Sequence, residues 1–81
     1  MTNRQLQEIV SFIEGRTDEV SVSCKTLEEG KAFYEVLSES RSLYHKLHQK
    51  DASLDAVIDQ IQLKNTKAQQ YYEISGEKWL F

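Results

Sequence analysis

Apolar residues along the chain fall into three runs with helical spacing, interrupted by one stretch that alternates. Leu6, Ile9, Val10 and Ile13 stand at i, i+3, i+4 and i+7, one face of a helix, and Phe12 widens the stripe. Thr2 or Asn3 is placed to cap it, and Gly15 to end it in the left-handed conformation. A second helix is predicted from about Leu27 to Lys50, with Phe33, Val36, Leu37, Tyr44 and Leu47 on one face and Leu43 beside them. Thr26-Leu27-Glu28-Glu29 has the form of a capping box at its start, and Ser40 leaves a gap in its stripe where another backbone could approach. Asp51 or Ser53 caps a third helix, expected from Ser53 to Tyr72 or Glu73, with Leu54, Val57, Ile58, Ile61, Ala68, Tyr71 and Tyr72 as its apolar face. Only a short break separates the last two helices, so they should pack antiparallel as a hairpin.

Between the first two helices, residues 19–24 alternate Val20, Val22 and Cys24 with polar side chains. An isolated strand needs partners, so this segment reads as an extended connection packed by those three residues. The chain closes on Trp79, Leu80 and Phe81. Those residues either fold back over the core or form a small hairpin about Ser75-Gly76. The fold expected is mainly α, a small three-helix domain; the alternative is α+β, with a small sheet from 19–24 and 71–81.

Composition narrows the picture. At 81 residues with no proline, the chain is one helical domain, since two would leave neither with a core. Cys24 is the only cysteine, which rules out an internal disulfide and suits a reducing compartment. The start of the chain has no apolar core of a signal peptide, and no apolar run approaches spanning length. A soluble, cytoplasmic protein with no membrane partner is expected. The net charge of −3 is uneven: residues 1–40 carry four basic against eight acidic side chains, and residues 41–81 carry six against five. This argues against a protein coated in nucleic acid while leaving room for a local contact from the second half.

Few constellations carry chemistry. His45 and His48 share a helix face at i, i+3 but lack a convincing set of further ligands, so they read as solvated surface, and no metal is expected. Asp51 to Asp55 is similar to the opening of a calcium loop, yet Ala56 and Gln62 stand where glycine and glutamate are required. Cys24 alternates with valines and reads as a small buried hydrophobe. No nucleophile triad, paired catalytic carboxylates or phosphate loop can be assembled, so no catalytic residue and no cofactor is expected.

One motif points elsewhere. Residues 53–72, SLDAVIDQIQLKNTKAQQYY, resemble the helix-turn-helix pattern in length and in most apolar positions. The resemblance implies that Leu63 is buried in a turn and that Asn65, Thr66, Lys67, Gln69 and Gln70 face a DNA major groove. Ile58 and Gln62 depart from it, standing where the pattern wants a small residue and a glycine. In one continuous helix, by contrast, Leu63 lies about half a turn from Leu54. The leading expectation is a non-enzymatic regulatory or interaction protein (an adaptor, inhibitor, immunity-type or assembly factor, bacterial or phage in style). Its partner is another protein or a second copy as a homodimer, met through Tyr34, Leu43, Leu63 and Trp79. The alternative is a small, winged or wingless, DNA-binding regulator.

Overall fold

Side-chain caps and two glycines set the helix boundaries in the computed structural model, which describes residues 2–81. Helix α1 (Asn3–Ile13) starts on Thr2, whose hydroxyl accepts from the Gln5 amide while the Gln5 side chain accepts from the Thr2 amide. It ends at Gly15, with φ of 80°. There the Gly15 amide donates to the Phe12 carbonyl and the Arg16 amide to the Ser11 carbonyl, the two bonds of a Schellman motif.

Helix α2 (Leu27–Leu47) is capped by the Thr26 hydroxyl, which accepts from the Glu29 amide at 3.1 Å. The expected return arm is displaced by one residue: the Glu29 carboxylate accepts from the Lys25 amide, at 2.6 Å. The helix stops three residues short of Lys50, because the His48 and Gln49 amides tighten onto the carbonyls three residues back. Helix α3 (Leu54–Ser75) starts on the Ser53 hydroxyl and continues past Tyr72 to Gly76, whose φ of 75° ends it.

Helix α2 is the centre of the molecule: α1 and α3 both pack on it and not on each other. The core joins Ile9, Phe12 and Ile13 of α1 to Ala32, Phe33, Val36 and Leu37 of α2 and to Tyr71 of α3. The hairpin of α2 and α3 is antiparallel, since Phe33 meets Tyr71, Glu35 meets Lys67, and Glu39 and Lys46 meet Gln60. Val20, Val22 and Cys24 pack against the core from the connecting segment, as the alternation predicts. Arg41 ties that segment down, pairing with Asp18 at 3.1 Å while lying over the Phe12 ring.

No strand forms among the described residues, so the α+β alternative fails. Residues 19–24 and the tail each pack on helices instead of pairing with one another. The tail folds back over the core. Trp79 meets Phe33 and Tyr71 edge-on at 5.6 and 6.0 Å, and Phe81 packs on Trp79. The indole N–H donates to the buried Ser40 hydroxyl at 2.9 Å, and that hydroxyl donates to the Val36 carbonyl. The gap that serine leaves in the α2 stripe therefore admits an indole, not a backbone.

Candidate interaction surface

Helix α3 sits on α2 with an unexpected face inward. The polar Gln60 is buried at the interface. Its amide nitrogen donates to the Glu39 carbonyl and carboxylate, and its oxygen accepts from Lys46, each at 3.0 Å. One helical turn further on, Lys64 donates to the Phe81 carbonyl, and a turn beyond that Lys67 pairs with Glu35. A buried amide is tolerable when every donor and acceptor finds a partner, and Gln60 finds three.

That orientation splits the apolar face expected for α3. Val57 and Ala68 are half-buried and Tyr71 is buried, whereas Leu54, Ile58, Ile61 and Tyr72 are 74, 41, 37 and 43% exposed. The exposed residues lie along one line. Leu54, Ile58, Ile61, Asn65, Ala68 and Tyr72 follow one another in alternating steps of four and three, all exposed but Ala68, which is half-buried against the core. At 3.6 residues per turn they occupy a sector of about 80°, centred about a quarter turn from the side that meets α2. Beside the far end of this ridge, Asn65, Ala68 and Tyr72 form a groove of about 380 Å³ with Lys78 and Trp79 of the tail. A larger groove, about 590 Å³, runs between α1 and the tail, lined by Leu6, Val10, Leu80 and Phe81.

The sequence-derived partner residues do not share one surface. Tyr34 is exposed on α2 beside the 18–24 segment, and Leu43 is half-buried on the same helix. Leu63 is exposed, about half a turn round α3 from the ridge. Trp79 is turned inward onto the core, with one edge left to line the groove at the ridge. Ridge residues Leu54, Ile58, Ile61 and Tyr72 belong to the same predicted apolar face as Val57, Ala68 and Tyr71, and no local signal separates the outward ones from the inward ones.

The helix-turn-helix resemblance loses its turn, because α3 runs unbroken through Gln62 and Leu63. Its five expected DNA-reading residues scatter. Lys67 turns inward to Glu35, the Thr66 hydroxyl donates to the Gln62 carbonyl, and Gln69 bonds Glu73. Asn65 belongs to the ridge, and Gln70 is exposed elsewhere on the helix.

Both histidines are held in structural contacts. His48 Nδ1–H donates to the Tyr44 carbonyl at 2.8 Å, with the two rings 4.3 Å apart, while the His45 ring lies beneath Gly15. Burial, then the Glu29 and Glu77 carboxylates, push the Cys24 thiol up, which suppresses the thiolate. Among the described residues no three His, Cys, Asp or Glu side chains converge as metal ligands, and no helix is long and apolar enough to cross a membrane. Compared with family models, curated proteins and solved structures, the chain matches none.

Proposed function

We propose that this chain is a non-enzymatic protein-interaction module that engages a helical segment of a protein partner along the outer face of α3. One observation carries the reading: four large apolar side chains line one side of α3 while the side packed on α2 is tied by Gln60, Lys64 and Lys67. Scattered exposed hydrophobics need no explanation, but large apolar side chains aligned along one side of a rigid element, interrupted only by Asn65, mark a contact surface. A helix is the natural occupant, since steps of four and three match the side-chain rows of a second helix. The half-buried single cysteine suits work in a reducing compartment, the cytoplasm.

Site-specific photo-cross-linking in the cells that make the protein tests this. A benzophenone side chain at position 58 or 61 should give discrete protein adducts, and one at position 70, on another side of α3, should not. Adducts equally abundant from all three positions, or from none, would remove the ridge as the interaction surface.

A further inference from the structure

The ridge has the phase of a coiled-coil seam. Ile58, Asn65 and Tyr72 form one set of positions seven apart, and Leu54, Ile61 and Ala68 form the other. Such a seam packs side chain into hole against a second seam of the same kind. It contains one polar residue, Asn65, flanked by apolar ones.

We propose that α3 pairs with α3 of a second copy of this chain, parallel and two-stranded, with Asn65 opposite Asn65 across the two-fold axis. The proposal rests on the ridge being an interaction surface and adds the identity of the occupant. Asparagine carries both donors and an acceptor, so its own copy is a complete partner for it. A parallel two-fold pairing sets every residue against its equivalent, and Asn65 meets Asn65. An antiparallel pairing would pivot between Ile61 and Asn65, laying each asparagine against an isoleucine and leaving its amide unpaired. A single such asparagine at this kind of position fixes register and orientation in two-stranded coils, at some cost in stability.

Charge leaves this pairing open. The residues flanking the seam are Asp55, Gln62 and Gln69 on one side and Val57, Lys64 and Tyr71 on the other. Val57, Lys64 and Tyr71 lie on the flank shared with α2, where Lys64 donates to the Phe81 carbonyl. Parallel pairing therefore sets Gln62 and Gln69 of each copy beside that flank and brings no like charges together. At the far end Ala68 is small enough for close approach, and the groove between Tyr72 and Trp79 offers room for an aromatic ring of the second copy.

Sedimentation velocity of the full chain, from low micromolar to sub-millimolar concentration, reads the association directly. Wild type should sediment as a dimer, and Ile58→Asp/Ile61→Asp as a monomer with unchanged helicity by circular dichroism. If that variant unfolds, disulfide trapping decides instead. In a Cys24→Ser background, Ile61→Cys should oxidise to a covalent dimer. Mixed Leu54→Cys and Tyr72→Cys proteins should each link to themselves and not to each other, and a 54–72 cross-link would overturn the parallel arrangement. Asn65→Ile should tighten association at least tenfold and admit other orientations; weaker association would remove the asparagine from the seam. A wild type that stays monomeric throughout overturns the second copy as partner. Adducts from positions 58 and 61 to a different protein would then keep the interaction reading alive, and their absence would end both.

Discussion

Two side chains far apart in sequence close the core. Ser40 and Trp79 are 39 residues apart, and their hydrogen bond at 2.9 Å anchors the indole of the tail on α2. A neutral bond of this kind contributes about 1 kcal/mol, and an indole N–H left without a partner costs at least as much. In a double-mutant cycle, Ser40→Ala and Trp79→Phe should couple by about 1 kcal/mol in urea denaturation. Additive effects would mean that the indole finds water as readily as serine. Tyr71 gives a second handle. It is buried, its hydroxyl donates to Glu77 at 3.2 Å, and burial followed by the Glu77 carboxylate pushes its pKa from 10 up to about 12. Because the folded-state value is raised, the protonated phenol contributes stability that is complete below pH 10 and lost as pH climbs towards about 12. Wild type should therefore lose stability across that window more steeply than Tyr71→Phe. Parallel decline of the two urea midpoints would show that the phenol titrates freely in the folded protein.

Helix starts follow from local chemistry and are legible in the sequence. The ends are less so: α2 stops at Leu47, short of the expected Lys50, and α3 runs past Tyr72 to Gly76, where the pattern suggests a turn of the tail. Thr2, Thr26 and Ser53 cap because a hydroxyl satisfies an amide three residues on, and Gly15 and Gly76 stop helices because they accept positive φ. The two glycines are not equivalent. A Cβ on Gly15 would lie 3.2 Å from the His45 ring, whereas nothing lies within 4 Å of one on Gly76. Both alanine substitutions incur left-handed strain of about 1 kcal/mol, and Gly15→Ala should destabilise further. Equal thermal midpoints for the two variants would show that His45 simply moves aside. Faces were less legible than starts. Leu54, Val57, Ile58, Ile61, Ala68, Tyr71 and Tyr72 span an arc too wide for one contact, and pattern alone ranks every apolar residue above Gln60 for burial. The choice was made by α2, where Glu39 and Lys46 supply the partners that let Gln60 go inward and turn the ridge outward. Those partners lie 14 and 21 residues away, beyond the reach of any local periodicity. A greater separation, 39 residues, keeps the role of Ser40 out of the local pattern as well.

At the scale of the whole molecule, the ridge is exposed because none of the described elements packs over it. Helix α1 has 11 residues and packs on the other flank of α2, while the tail lies over the aromatic core and reaches the ridge only through Lys78 and Trp79. A domain of 81 residues buries roughly 60–65% of the surface its unfolded chain exposes, so its own margin is thin. Pairing two ridges would supply what a fourth helix supplies in a bundle. The consequence is thermodynamic as well as structural. If folding is coupled to association, the melting midpoint rises with protein concentration by mass action, since the folded state alone binds its mate. Wild type should show that dependence, and Ile58→Asp/Ile61→Asp should melt at a concentration-independent midpoint below it. Ser40→Ala, by contrast, should melt earlier yet keep the full concentration dependence, because it loosens the tail within the monomer and leaves the proposed seam intact. A wild-type midpoint independent of concentration would place the whole stability of the fold within one chain, in the aromatic core and the polar ties between α2 and α3.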